Sequence, residues 1–541
     1  MIQTFKKIWT SETNGVTTAA IIIASASFAS RVIGVLRDRV LASTFGAGSA
    51  LDTYYAAFRL PDMLYNLLIL GALSAGFIPV FAEYLATKSK DEAWKLVGHV
   101  ISTLGTLLVF FCIVLFFIAP YIIPLITPGF DPEKMSTTIH LTRIMLLSPF
   151  FMGLSGIMGG VLQTTRRFFA FSIAPIFYNC GIIFGAVVLS QLCGIEGVAY
   201  GVIIGAFLHF FIQAIVAWPM GIGILPWPSF SNPGLHKISL LMAPRTIGLA
   251  ISQVNLVFLT GFASYLSAGS VSIMNLANNL QSFPVGIIGV SYAVAVFPLF
   301  ALSATKKDVT AFLHHLEHTV RKILFIIIPI TVLFLLLRAQ IVRLVLGAGS
   351  FDWDDTVRTA NVLGIFVISL PAQALIPLFA RAFYAYQDSR TPLISILCAE
   401  LTNVLIAFFS YRTFGVLGLA SAFTISSWVN VGLLYSMWIH THPALRPRFL
   451  WFVLLTSVAS SAMLIVGYAC RQIVGTIYPL HTFIQVALQA ITATMAGCGM
   501  FLFIAHILRI EEMGEMMHAI RRLRMKSDIP IAGAEEVQGI S

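Results

Sequence analysis

Of 541 residues, 58% are hydrophobic and only 10% charged, and a mean hydropathy of +0.89 excludes an ordinary soluble domain, where roughly a quarter of residues are charged. The formal net charge of +10 would suit nucleic acid, but the basic residues sort by loop and form no binding face, which excludes that partner.

Windows of about 20 apolar residues, enough to cross about 30 Å of hydrocarbon, recur from residue 16 to residue 509. Fourteen spans are expected, at 16–43, 53–85, 94–119, 137–164, 170–193, 196–219, 238–266, 270–304, 314–338, 357–386, 391–412, 416–438, 449–471 and 482–509. The fold class is therefore an all-α polytopic membrane protein.

The first span opens like a cleavable signal, with Lys6 and Lys7, the apolar run Val16 to Ala24, and then Ala24-Ser25-Ala26. Apolarity continues through Phe28, Val32, Ile33, Val35 and Leu36, so an uncleaved first span is expected. That span also carries Arg31, Arg37, Asp38 and Arg39, and the second carries Arg59 and Asp62. An ionised side chain near the bilayer centre costs roughly 2.5 to 3.5 kcal/mol even on lenient insertion scales, so such groups normally face a polar cavity.

Arg31 and Asp38 lie two helical turns apart and share a face, flanked by Arg37 and Arg39. A water-accessible cationic cavity for an anionic ligand is predicted around them. The arginine fork matches phosphate oxygens in pairs, so a phosphate or diphosphate is expected there, with Asp38 holding an arginine when the ligand is absent. Arg39, just before the Gly46 to Gly48 loop, is expected to snorkel to the headgroups. Pro61, between Arg59 and Asp62, is expected to interrupt the second helix and free backbone groups that only a cavity or neighbouring protein can satisfy.

Counted over alternate loops, twenty Lys and Arg fall on one side. The other side holds six, Lys134, Arg338, Arg343, Arg358, Arg412 and Arg471. This positive-inside asymmetry places both termini in the cytoplasm and requires an even number of spans.

The first six spans match the next six at an offset near 221 residues. Arg31-Val-Ile-Gly34 pairs with Arg245-Thr-Ile-Gly248, Ala47-Gly48-Ser49 with Ala268-Gly269-Ser270, and Pro79 to Ala82 with Pro298 to Ala301. Phe130-Asp131 pairs with Phe351-Asp352, and Gly194, Gly197 and Ala199 with Gly415, Gly418 and Ala420. Six is even, so the copies share one orientation and should surround a central cavity as parallel-repeat transporters do. The expected organisation is a lobe at 16–219, a second at 238–438, two further helices at 449–509 and a cytoplasmic tail at 510–541. Charge is confined to copy one: Arg37-Asp38-Arg39 faces Leu249 to Gln253, and Arg59 and Asp62 face Asn278, Asn279 and Gln281.

Other motifs read as structure. His314-His-Leu-Glu317-His318 has H-x-x-E-H spacing but no evident third ligand, so no metal is expected. The spacings Gly156 to Gly160 and Gly201 to Gly205 suggest close helix packing. Asp352, Asp354 and Asp355 read as a solvated loop, Trp218, Trp227, Trp428 and Trp451 as an interfacial belt, and Glu511 to Lys526 as a basic surface helix. The six cysteines lie in or beside apolar segments without C-x-x-C spacing and read as packing residues.

Ser30-Arg-Val-Ile-Gly-Val-Leu-Arg-Asp38, Phe45-Gly-Ala-Gly48, Asp52, Phe58-Arg-Leu-Pro61, Gly71-Ala-Leu-Ser74 and Phe77-Ile-Pro-Val-Phe-Ala-Glu-Tyr84 together resemble the MurJ (MviN) lipid II flippases of the MOP exporter superfamily. Ala268-Gly-Ser270, Phe283-Pro284, and Phe383 to Asp388 with Thr391-Pro392 extend the likeness over residues 16 to 510. The resemblance implies fourteen helices, two six-helix lobes and a last pair forming a groove toward the lipid. It also implies a cargo, undecaprenyl-pyrophosphate-linked muropeptide, moved from the inner to the outer leaflet of the bacterial cytoplasmic membrane by alternating access. By matching position, Arg31, Arg37, Asp52 and Arg59 correspond to charged cavity positions, and Asp38 to the acidic residue after the second arginine; Asp62, Pro61 and Asn279 are supporting or gating candidates. The chain departs from the family pattern at Tyr65, Asn66, Leu70, Asn279 and Ser282, where charged residues are expected.

A related exporter of another lipid-linked oligosaccharide or of drugs is the alternative. A polyprenyl-phosphate transferase would need clustered carboxylates for Mg²⁺ or a base, and the intramembrane acids here are dispersed, so no enzyme and no cofactor are expected. A coupling ion or the membrane potential stays open as energy source. Membrane lipids and the cell-wall synthesis machinery are the further expected partners.

Overall fold

The computed structural model describes residues 16–70, 76–229, 231–442, 449–477 and 482–514, without the side chains of 16–21, Leu70 and 243–245. Lys6, Lys7, the Gly71 to Ser74 motif, Arg446, Arg448, the Arg245 side chain and the expected surface helix beyond residue 514 therefore lie outside what is described.

A bilayer offers backbone groups no hydrogen-bond partner, so each spanning segment must satisfy its own. The described chain meets this with helices and has no strand. In order they are α1 (Val16–Phe45), α2 (Ser49–Tyr65), α3 (Ile78–Thr87), α4 (Lys90–Ile126), α5 (Pro132–Met145), α6 (Ser148–Thr164), α7 (Phe168–Phe184), α8 (Ser190–Cys193), α9 (Ile195–Ala217), α10 (Pro233–Ser264), α11 (Ser270–Pro284), α12 (Ser291–Thr305), α13 (Val309–Val345), α14 (Trp353–Val367), α15 (Leu370–Ala385), α16 (Arg390–Thr441), α17 (Leu450–Ile477) and α18 (Phe483–Ile507). Side chains start several of them: Ser89 accepts from the Glu92 amide, Asp131 from Lys134, and Asn232 from Gly234 and Leu235, while Thr482 and Gln485 form a capping box.

Ten described stretches are long and apolar enough to cross a membrane, and α14 with α15, bent by 44°, make an eleventh. The expected fourteen is not reached by that test, for identifiable reasons. Helix α16 runs through two expected spans, 391–412 and 416–438, across a non-helical Gly415. Helix α1 carries four charges, and α2 leads into residues outside the described set.

By contacts the chain forms two compact units, Met1–Phe283 with Val342–Phe366 and Leu393–Asn430, and Pro284–Ile341 with Val367–Pro392 and Val431–Ser541. The first has an apolar core around Ile69, Phe77, Phe81, Val97 and Val161. In the second, Phe312 stacks on Phe300 at 4.8 Å and on Trp438 at 5.5 Å between centroids. Large apolar side chains such as Leu125, Ile484 and Met495 stay more than two-thirds exposed, a surface suited to lipid tails.

The repeat has a backbone counterpart. Gly194 (φ 58°, ψ −135°) and Gly415 (φ 57°, ψ −136°), 221 residues apart, adopt the same left-handed turn, which glycine allows without a Cβ clash. Arg166 and Gln387, equally spaced, have φ of 58° and 60°. Asp131 and Asp352 each receive the amide three residues on, so Asp352 caps α14 and does not belong to a solvated loop. A π turn follows α2 at Asn66–Leu70 and another follows α11 at Val285–Val290, the matched points of the two copies.

Pro61 does not interrupt its helix: α2 runs unbroken through it. Proline withdraws one N–H and leaves the carbonyl four residues earlier free. Here that carbonyl, Ala57, accepts a hydrogen bond of 3.4 Å from the Thr142 hydroxyl. The irregular turn comes later, at Asn66.

Helices α7 and α9 approach through glycines. A Cβ on Gly201 would lie 2.7 Å from the Gly181 oxygen and 2.7 Å from the Gly185 Cα. Gly201→Leu is expected to force the pair apart at a cost of about 1–3 kcal/mol, read as a lowered unfolding temperature in detergent.

Candidate functional site

Three charged groups of the first two spans end in three different settings, all within the first compact unit. On α1, Arg37 and Asp38 pair directly: Nε and Nη2 donate to Asp38 Oδ1 at 3.0 and 2.7 Å. The remaining nitrogen, Nη1, donates to Asn179 Oδ1 on α7 at 3.1 Å. The other carboxylate oxygen, Asp38 Oδ2, accepts from Asn279 Nδ2 on α11 at 2.9 Å. Asp38 is 6% exposed. An ion pair this buried loses much of its Coulomb gain to desolvation, and the two amides supply the partners that make it tolerable.

Arg59 on α2 is held by different elements. Its Nε donates to Thr260 Oγ1 on α10 at 2.9 Å and its Nη2 to Asn275 Oδ1 on α11 at 2.8 Å. Asp62 lies in its field and is hydrogen-bonded by the Asn66 side chain. Beside Arg59 opens a chamber of about 490 Å³ whose other walls are apolar, among them Leu256, Val271, Met274, Phe366 and Phe423. Asn275 and Asn279 are one turn apart on α11, about 6 Å along its axis, so both arginine settings meet one face of that helix.

Asp52 stands apart from the arginines. Only 1% exposed, it accepts from the Gly269 and Ser272 amides at 2.7 and 2.8 Å and from the Ser272 hydroxyl at 2.7 Å. Lys134 Nζ lies 3.4 Å away. These are the orphan donors at the start of α11, where a carboxylate is favoured by both hydrogen bonding and the helix dipole.

Arg31 makes no hydrogen bond or ion pair among the described residues and is exposed. It lines a cleft of about 600 Å³ with Ser27, Ser30, Phe171 and Ser172, whose hydroxyl is buried without a partner. Asp38 thus holds its immediate neighbour and not Arg31, two turns away. Arg39 does not snorkel. It donates to the Leu344 and Val345 carbonyls at 2.6 and 3.1 Å, at the C-terminal end of α13 where a cation is favoured. Asp355 accepts from the Ala47 amide at 2.9 Å.

The departures from the family pattern are filled by neutral groups. Asn279 serves Asp38, Asn66 serves Asp62, and the Ser282 hydroxyl turns back to the Asn279 carbonyl at 2.9 Å. Tyr65 packs on the apolar core. Among the described residues no three His, Cys, Asp or Glu side chains could hold a metal ion; His314 and His318 stack on each other, centroids 5.7 Å apart. Sequence reasoning missed Asn179, Thr260 and Asn275. Asn179 is a polar residue set in the apolar run Phe168 to Phe184, which is the signal that could have found it.

A many-helix membrane protein with guanidinium groups buried among amides, and no metal cluster among the described residues, belongs to the class of polytopic transporters. The fold agrees with an inward-facing MATE-family multidrug transporter of the MOP superfamily, at a TM-score of 0.67 and 14% identity over 79% of this chain and 99% of that one. The family Lipid II flippase MurJ matches residues 41–488, and the chain belongs to it. A probable lipid II flippase MurJ of Rhizobium meliloti is 30% identical over 423 residues, covering 76% of this chain and 79% of the relative. One of Vibrio cholerae is 28% identical, covering 82% and 87%. A lipid II flippase MurJ structure in an inward closed conformation superposes with a TM-score of 0.75 at 25% identity, covering 90% of this chain and 98% of that one.

Two substitutions separate the settings. Asp52→Ala strands the first amides of α11 and is expected to cost roughly 3 kcal/mol or more of stability, while the folded fraction keeps its ligand affinity. Asn279→Leu leaves Asp38 Oδ2 without its donor, a cost of about 1–3 kcal/mol, and is expected to change ligand affinity as well. Thermal unfolding and ligand titration on the same samples check both.

Proposed function

We propose that this chain moves lipid II, the undecaprenyl-pyrophosphate-linked muropeptide, from the inner to the outer leaflet of the bacterial inner membrane. Family membership supports the cargo, and the Arg37–Asp38 pair carries the site. A diphosphate competes with the Asp38 carboxylate for the same guanidinium fork, so the pair is a closed latch that cargo opens. Arg31, unpaired and two turns from Asp38, supplies a second cation for the diphosphate, and Arg59 receives another part of the headgroup.

The polyprenyl tail cannot follow, because each CH₂ group is stabilised by about 0.8 kcal/mol when kept out of water. It stays in lipid along α17 and α18 while the headgroup crosses between lobes 16–219 and 238–438 by alternating access, with both termini in the cytoplasm. No bond is made or broken. Arg31, Arg37 and Arg59 against Asp38 and Asp62 leave the site one positive charge in excess (three minus two), and each net charge carried across is worth about 2.3 kcal/mol per 100 mV. The membrane potential is therefore our candidate for the driving force, and the cell-wall synthesis machinery on the outer face the candidate acceptor of the cargo.

Leaflet-resolved assay of lipid II after depletion of the protein tests this. Precursor is expected to accumulate on the cytoplasmic side, to be relieved by wild type, and to be relieved at least tenfold less well by Arg37→Ala inserted at equal level. Unchanged leaflet distribution on depletion would refute the proposal.

A further inference from the structure

We propose that the chamber beside Arg59 is a specificity subsite for the free C-terminal carboxylate of the peptide carried by the headgroup, separate from the diphosphate site at Arg37; this rests on the flippase reading above.

The chemistry of the chamber selects a monoanion with small apolar flanks. Arg59 is the single cation among its lining residues, and Thr260, Asn275 and Asn278 are the polar ones. Two of its three nitrogens are engaged, by Thr260 and Asn275, which fixes the plane of the fork. The third, Nη1, makes no hydrogen bond among the described residues and remains to donate to an incoming oxygen. One carboxylate against one guanidinium is a matched pair. A diphosphate would bring surplus charge against Phe366, Phe423 and Leu256, with no second donor group to meet it, and a buried charge left uncompensated is strongly disfavoured.

Size agrees with this assignment. About 490 Å³ lies in the range of small-ligand pockets and suits a terminal dipeptide with methyl side chains better than a sugar pair, whose hydroxyls would be left unpaired on apolar walls. Location agrees too. Asn275 holds Arg59 and Asn279 holds Asp38, one turn apart on α11, so a folded headgroup can present its diphosphate to one setting and its peptide end to the next.

The test uses detergent-purified full-length protein and two lipid II preparations, one with the free terminal carboxylate and one with that carboxylate converted to a carboxamide. Wild type is expected to bind the acid at least tenfold more tightly than the amide. Arg59→Gln is expected to bring the acid down to the level of the amide and leave the amide within twofold. Val271→Phe, which fills the chamber and keeps Arg59, is expected to lose the same preference, and it decides the matter should Arg59→Gln fail to fold. Equal binding of acid and amide by wild type, or a preference that survives in folded Arg59→Gln or Val271→Phe, would overturn the subsite. Failure of the flippase reading would show differently, as wild type that moves no lipid II between leaflets. The subsite would then still be read from N-acetylated dipeptide acids and amides, whose discrimination Arg59→Gln must abolish.

Discussion

Charge placed inside hydrocarbon has to be cancelled or wetted, and the Arg37–Asp38 pair is where this chain meets that requirement. Both residues sit side by side on α1, so the pair forms without help from a second helix. What a second and third helix add is satisfaction of the atoms left over, through Asn179 and Asn279. Replacing a charged partner by an amide keeps the hydrogen bond and removes the Coulomb term. The carboxylate is therefore held less firmly than an additional arginine would hold it, and a ligand with two negative charges meets less competition for the fork.

The charged spans, the apolar windows and the repeat were legible in the primary structure because each is a one-dimensional property. Hydrophobic runs, an interval near 221 residues, and ions in the wrong solvent need no coordinates. Which ions meet was not legible. Arg31 and Asp38 share a helix face by spacing, yet Asp38 is taken by its nearest neighbour, since the long arginine side chain can fold back along its own helix. Arg39 stood next to a loop and read as a headgroup contact, but the free carbonyls ending α13 were closer partners. Asn179, Thr260 and Asn275 could be weighed only once α7, α10 and α11 were placed beside α1 and α2. Asp52 looked like one more cavity charge because a residue's field says nothing about how many amides already point at it.

Proline posed the same problem for the backbone. A missing N–H creates an orphan carbonyl, and whether that becomes a break or a continuous helix depends on what lies opposite. At Pro61 a threonine hydroxyl from α5 lies opposite, and the helix holds. The departures from regularity lie instead at Asn66–Leu70 and Val285–Val290. Single π turns often mark positions under functional constraint, and here they fall at the same place in both copies.

The hydrogen bonds that join the two copies carry a historical meaning. Asp52 of the first copy seizes the start of α11 in the second, while Ala47 in the first copy is bound by Asp355. At an interval of 221 residues the counterpart of Asp52 is Ile273, and that of Asp355 is Lys134, so neither contact has a mirror image. A symmetric homodimer must place the same residue on both sides of its axis. Fastenings this lopsided could have arisen only after the ancestral halves were fused into one reading frame, when each side became free to mutate alone.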